Sequence, residues 1–235
     1  MASDPSAPPT RLAVPPFRAA IFDMDGLLID SERPIRDAFL AACLANGLSI
    51  TPQAYAQVIG RNRHDTDQLL GRMIGDPMRY RRIVAQTMVD IEALHEAGGF
   101  ALKPGARALL EALSASGIAL GVASSSRLGH IEERLRMAGV LGYFDALAGG
   151  DEVSKGKPAP DLFLLAAQRL ARSAQQCLVF EDSRAGAGGA LAAGMAVVVV
   201  PDLQQPDERI RADSLAVLDG LDQVLERLSD WFGAR

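Results

Sequence analysis

Four short stretches of the sequence carry side chains that could do chemistry together. Asp23-Met24-Asp25-Gly26 offers two carboxylates one residue apart, Ser124 a hydroxyl, Gly156-Lys157-Pro158 one ammonium, and Glu181-Asp182-Ser183 two more carboxylates. Acids that converge in a partly buried cleft repel one another, so a cation must join them or their ionisation is suppressed. An all-oxygen, carboxylate-rich set favours a hard divalent ion. Mg2+ in particular takes a few carboxylates and keeps positions open for water and a phosphate oxygen. Lys157 then adds a point charge for phosphate, and Ser124 a hydroxyl donor. Singly, each stretch has a plainer reading: Asp-x-Asp-Gly as a turn or calcium-like loop, Lys-Pro as a helix entry, Ser124 as a turn residue or N-cap, and Glu-Asp-Ser as a capping segment. Their joint placement carries the chemistry.

That placement depends on the elements between them. Five apolar runs bounded by Gly or polar residues are expected to be buried strands, at 18–22, 118–123, 143–149, 177–180 and 196–200. Helical patterns alternate with them: ALLEALSAS between Pro104 and Gly117, LGHIEERLRMAG, APDLFLLAAQRL and AGAGGALAAG. Such alternation predicts an α/β fold, a Rossmann-like, doubly wound parallel sheet with helices on both faces. In open sheets of this kind ligands gather at the carboxyl ends of the strands, where Asp23, Ser124 and Glu181-Asp182 are expected to stand. From Glu32 to about Gly99 the alternation stops. PIRDAFLAACLANG, DTDQLLGRM and RYRRIVAQTMVDIEALHEAGG read as helices, a helical insertion after the first strand, with Gly98 and Gly99 as a hinge or a helix C-cap.

Composition sets the class. The 235 residues are 49% hydrophobic and 23% charged, enough for a sizeable core, and the net charge of −5 with no long Lys/Arg run argues against a nucleic-acid or anionic-membrane partner. Cys43 and Cys177 sit in apolar stretches and read as buried thiols of a reducing compartment, so the expected location is cytoplasmic. Residues 1–17, rich in Pro, Ser and Ala, are expected to be a flexible tail and lack the apolar run of a secretory signal. Runs such as AVVVV are too short to span a bilayer.

FDMDGLLIDSE resembles the first motif of the haloacid dehalogenase superfamily, and VASSS, GKPAPD and VFEDSRAG resemble its second, third and fourth motifs in order, over almost the whole chain after Phe17. The insertion resembles the small helical cap of the phosphoglucomutase and phosphoglycolate-phosphatase branch, dividing the chain into a core of 18–31 plus 100–235 and a cap domain of 32–99. The resemblance implies an Mg2+-dependent phosphatase of a small phosphorylated metabolite. Asp23 would be the nucleophile that forms an aspartyl phosphate, and Asp25 the general acid and then base. Asp23, the Asp25 carbonyl and Asp182 would bind the metal, with Glu181 as a ligand or its support. Ser124, Ser125 and Lys157 would hold the phosphoryl oxygens. In the cap, Gly60, Arg63 and His64 in GRNRHDTDQLL would face the rest of the substrate. Arg63 would reach a distal anionic group, or else the stretch is a solvated helix start with Asp65 or Thr66 as N-cap. Arg61 is a weaker candidate, Arg79, Arg81 and Arg82 read as a solvated face, and His95 and His130 show no partner pattern.

Mutases of the branch carry a histidine shortly after the first motif, and Ile35 stands there in this sequence. Hydrolysis is therefore favoured over a sugar phosphomutase, and Asp25 argues against a halide-releasing dehalogenase. A non-catalytic binding module is disfavoured because every residue the chemistry needs is present. The expected assembly is a monomer or homodimer, and a sugar or polyol phosphate is the favoured substrate.

Overall fold

The computed structural model describes residues 17–61 and 63–233; the expected tail, Phe17 excepted, and Asn62 lie outside the described residues, as do the side chains of Arg63 and His95. Six parallel strands, β1 (Ala19–Phe22), β2 (Ala119–Ser124), β3 (Ala146–Gly149), β4 (Cys177–Glu181), β5 (Ala196–Val199) and β6 (Ala216–Val217), lie in the order β3-β2-β1-β4-β5-β6. β1 and β4 are wholly buried because helices cover both faces, which is why they read as unbroken apolar runs.

Alternate residues feed two separate cores. Ala20, Phe22, Leu120, Val122, Leu178 and Phe180 face one way, toward α5 (Ala106–Ala115), α6 (Leu128–Met137), α10 (Asp222–Leu225) and α11 (Leu228–Phe232). Ala19, Ile21, Ala123, Val179 and Val197 face the other, toward α7 (Asp161–Arg169) and α8 (Arg184–Ala192), while α9 (Glu208–Asp213) adds Ile210 to the same cluster. Phe22 and Phe180 stack with ring centroids 4.9 Å apart across the β1–β4 pair.

Between β1 and α5 the described residues form, apart from isolated bridges at Asp25, Ile29 and Leu102, helices: α1 (Glu32–Ala45), α2 (Pro52–Tyr55), α3 (Arg63–Ile74) and α4 (Pro77–Glu96). Phe39, Cys43, Tyr55, Val58, Leu70, Ile74 and Ile83 form a third, independent apolar cluster there, so this inserted helical cap has its own core. Both cysteines are buried free thiols. No described helix is long and apolar enough to cross a membrane.

Several boundaries differ from the sequence reading. The third strand begins at Ala146, not at Tyr143, because Leu141–Tyr143 coil into a 3-10 turn and the Asp145 carboxylate accepts the Leu120 N–H. Helix α3 already contains Asp65, so neither Asp65 nor Thr66 caps it. Phe17, counted with the expected tail, is buried, packs edge-on against Phe232 at 6.2 Å and donates its N–H to the Trp231 carbonyl, so it belongs to the packed core.

Candidate active site

The order of the sheet reverses at β1: the chain proceeds from β1 outward through β2 and β3, then returns to the other side of β1 with β4. The crevice at that reversal lies over the carboxyl ends of β1, β2 and β4. Asp23 follows Phe22 directly and donates its N–H to the Phe180 carbonyl at 3.0 Å, Ser124 ends β2, and Glu181 ends β4. Three segments far apart in sequence thus meet at one rim.

Lys157 is the pivot of the cluster. Its side chain is 1% exposed, and Nζ donates to Asp23 Oδ1 and to Glu181 Oε1, each at 2.5 Å. The ammonium also lies 5.0 Å from the centroid of the Phe163 ring. Burial alone would lower the Lys157 pKa; the Asp23 and Glu181 carboxylates outweigh it and hold the group charged. Glu181 is fully buried, and its other oxygen, Oε2, accepts from the Ser183 N–H at 2.9 Å and the Ser183 hydroxyl at 3.0 Å. With both oxygens engaged, Glu181 acts here as the holder of Lys157. Ser183 is also the N-cap of α8, accepting the Gly186 N–H at 3.1 Å. The capping reading of Glu-Asp-Ser holds at Ser183, in the same segment that brings Glu181 to Lys157. Gly186 is required there, since a Cβ on it would fall 1.6 Å from Glu181 Oε1.

Asp23, Glu181 and Asp182 present oxygens that all lie within 4.8 Å of one another, with Lys157 as the compensating cation. Burial, and then the neighbouring Glu181 and Asp25 carboxylates, push Asp23 up to about 7 against the pull of Lys157. Burial, Glu181 and Asp23 push Asp182 well above the usual carboxylate range. Glu32, at the start of α1, rises to about 8 through burial and the charges of Asp25, Asp23 and Asp202. Asp182 Oδ2 is buried with no hydrogen-bond partner among the described residues. Excess negative charge, an unsatisfied buried oxygen and an all-oxygen donor set are what a divalent cation would relieve, and the residues present fit one.

The charge balance gives a pH prediction. Asp23 titrates near 3.8 in the unfolded chain and near 7 in the fold, so the metal-free protein binds the proton more tightly when folded and loses stability as pH rises through that window. A divalent cation competes with those protons. The rise in Tm on adding MgCl2 to EDTA-treated protein is therefore expected to be larger at about pH 8 than at about pH 5; a rise that shrinks with pH would contradict the repulsion.

Asp25 has a different environment. Its carboxylate accepts from Ser31 Oγ at 2.6 Å, from Ser126 Oγ at 2.9 Å and from the Arg134 guanidinium. Burial opposes ionisation, but Arg134 and the two hydroxyls prevail and hold Asp25 below its ordinary value. Arg134 comes from α6 and lies 5.2 Å over the Phe100 ring. Sequence reasoning missed these three donors. Ser126 could have been found as the third serine after a strand, whereas Arg134 sits in an ordinary helical pattern.

A cleft of about 320 Å3 opens above this rim. Asp23, Asp25 and Ser124–Ser126 form its floor, and Ile35, Phe39, Tyr55, Gly60, Arg61, Thr66 and other residues of α1–α4 form its roof. Ser125 donates its hydroxyl to the Gly60 carbonyl at 3.3 Å, joining floor to roof. Gly60 has φ +74°, and a Cβ there would lie 2.4 Å from Ser183 Oγ. Tyr80 donates to Asp67 Oδ1 at 2.6 Å, and both line the cleft. His64 is exposed, pairs with Gln68 at 2.8 Å, and is not among the lining residues. His130, by contrast, does line the cleft.

A parallel sheet whose switch point gathers carboxylates, a buried lysine and hydroxyls defines an enzyme that handles phosphate. The chain belongs to the haloacid dehalogenase-like hydrolases, whose family profile matches residues 17–194. It is 32% identical over 217 residues to Protein CbbY of Rhodobacter capsulatus, covering 86% of this chain and 91% of the relative. It is 30% identical over 209 residues to the phosphorylated carbohydrates phosphatase of Thermotoga maritima, covering 86% and 94%. Among solved structures, CbbY of Rhodobacter sphaeroides in complex with xylulose-(1,5)bisphosphate superposes with a TM-score of 0.73 at 26% identity, covering 88% of this chain and 96% of that one. The chain is a phosphoric monoester hydrolase of that family.

Proposed function

We propose that this enzyme hydrolyses a small phosphorylated sugar or polyol through an aspartyl phosphate on Asp23, with Mg2+ as its cation. The observation that carries the reading is Asp23, which lines the floor of the cleft beside Asp25 and pairs behind it with buried Lys157, within the acid cluster that includes Asp182. Asp23 Oδ attacks phosphorus and the bond from phosphorus to the ester oxygen breaks; Asp25, a carboxylate in the free site, takes up a proton brought by the incoming phosphate monoester and passes it to the leaving alkoxide. Asp25, again a carboxylate, then accepts a proton from the water that attacks the phosphorylated Asp23, releasing phosphate and restoring the carboxylate. Lys157, Ser124 and Ser125 hold the phosphoryl oxygens, since this reaction depends on positioning and charge stabilisation. Asp23, Asp182 and the Asp25 carbonyl would hold Mg2+, which when bound offsets the negative charge of phosphate and carboxylates.

Two features favour a carbohydrate ester. A volume near 320 Å3 suits a pentose or hexose phosphate, at the lower end of ordinary small-molecule sites. The roof mixes apolar walls with Thr66, the Asp67–Tyr80 pair and Arg61, which can meet ring carbons and hydroxyls. Two relatives point the same way by name, the T. maritima phosphatase and the R. sphaeroides complex. Ile35 lines the cleft where a mutase of the branch carries histidine, so the phosphoryl group passes to water. Measuring kcat/KM over a panel of sugar, polyol, phosphoglycolate and nucleoside monophosphates with Mg2+ tests this reading; sugar or polyol phosphates are expected to lead, and a nucleotide or a two-carbon acid in first place would overturn the substrate class.

A further inference from the structure

Asp202 stands beyond the end of β5, is 1% exposed at its side chain, and has no part in the chemistry above. Its Oδ1 accepts Arg33 Nη1 at 2.5 Å and Lys103 Nζ at 2.8 Å. Arg33 belongs to the segment by which the chain leaves the sheet for the helical cap, and Lys103 to the segment by which it returns. Those two crossings also pair with each other. Ile29 and Leu102 form an antiparallel bridge, Asp30 N–H donates to the Ala101 carbonyl at 2.9 Å, and Lys103 N–H donates to the Leu28 carbonyl at 2.8 Å. One carboxylate therefore holds Lys103 of this two-stranded ribbon and Arg33 in the first turn of α1, which follows the ribbon's outgoing strand. The neighbouring residues extend the grip: Leu203 packs onto the cap's own apolar cluster, and Gln204 donates its amide to the Ala56 carbonyl.

We infer that Asp202 is a positioning residue that locks both crossings and thereby sets where the cap stands over the cleft. The ribbon is the covalent route between the two units, so any tilt of the cap must bend it, and the ion pairs from Asp202 to Lys103 in the ribbon and to Arg33 at the start of α1 resist that bend. The ribbon also reaches the reacting groups, because Ser31, at its cap end, donates to Asp25. A carboxylate this buried is held in one place, while Arg33 and Lys103 remain 42% and 19% exposed at their side chains; if it is removed, Arg33 keeps its pairing with Asp30 at 3.1 Å and Lys103 can return to water. That asymmetry makes Asp202 the fixed jaw of the lock and lets the fold survive its loss.

The test is Asp202→Ala, read by amide hydrogen exchange and by kinetics on two substrates. Exchange at 28–33 and 100–103 is expected to accelerate by about tenfold while β1 and β4 stay as they were. KM for the preferred sugar phosphate is expected to rise by about tenfold with kcat little changed, and kcat/KM for p-nitrophenyl phosphate, which carries no sugar for the cap to read, to stay within about twofold. Unchanged exchange in the ribbon, equal acceleration throughout the sheet, or equal loss on both substrates would each overturn the inference. Should Asp202→Ala not fold, Lys103→Met removes one arm alone and is expected to show the same pattern at smaller size; its absence there is equally decisive. The kinetic arm rests on the phosphatase reading, whose own failure would appear as no turnover by the unmodified enzyme, while the exchange result stands apart from it.

Discussion

Asp23→Asn is expected to remove phosphatase activity, with kcat on every ester falling by at least ~10,000-fold, as losses of a covalent nucleophile commonly do. An amide oxygen is a poor nucleophile toward phosphorus, and the change also withdraws one charge from the metal-binding set. The fold is expected to persist. Asn fills the same space, and Lys157 keeps its bond to Glu181 Oε1. Removing one member of a repelling acid cluster should even raise Tm in EDTA, since Asp23 is the group whose ionisation is pushed up to about 7. Scanning calorimetry beside a single-turnover assay separates the two effects. Residual turnover within about a hundredfold of the parent would refute the nucleophile assignment.

Lys157→Met is expected to be costly in both activity and stability. Met matches the length of the stem and can keep contact with the Phe163 ring, so little packing is lost. What is lost is the cation shared by Asp23 and Glu181. Breaking a buried ion pair from one side typically costs about 3–5 kcal/mol, because the remaining charge stays buried without a partner. Glu181 is fully buried and cannot turn to water, so the metal-free variant should unfold at much lower denaturant or recover only on acidification. Mg2+ is expected to restore part of the stability and none of the phosphate binding. A variant as stable as the parent, with unchanged phosphate inhibition, would show that Lys157 neither neutralises the acids nor meets the phosphate.

The sheet was legible in the sequence because its strands are buried on both faces. AAIF and CLVFE leave no polar residue to confuse strand with loop until the functional Glu181 itself. The two-residue β6 and the short helices α9–α11 escaped because Ala216 and Val217 are only half-buried and too few to show a period. Asp23, Ser124 and Glu181-Asp182 could be expected at one rim because strand ends converge by topology, which order along the chain reveals, and Lys157 joins them through its pairing with Asp23 and Glu181. Arg134 was hidden for the opposite reason: its bond to Asp25 spans 109 residues and depends on which face of α6 turns inward. Glu181 was read as a ligand or support of one, and only the geometry shows both of its oxygens already engaged. Arg63 opens α3, with its side chain outside the described residues. The described lining residues of the roof include Arg61, Thr66 and Asp67, which lie on either side of it in sequence.

The near-contact of Gly60 with Ser183 divides the roof into a part that can diversify and a part that cannot. Tyr55, Arg61, Thr66, Tyr80 and Met88 border open space, so descendants of this chain can exchange them to admit new esters without disturbing the sheet. Gly60 acts as a doorstop: with only 2.4 Å between a Cβ there and the Ser183 hydroxyl, any bulk would wedge the lid away from the phosphate floor and flood the reaction with solvent. Selection for novel substrates on this scaffold should therefore wander across the walls while leaving residue 60 bare.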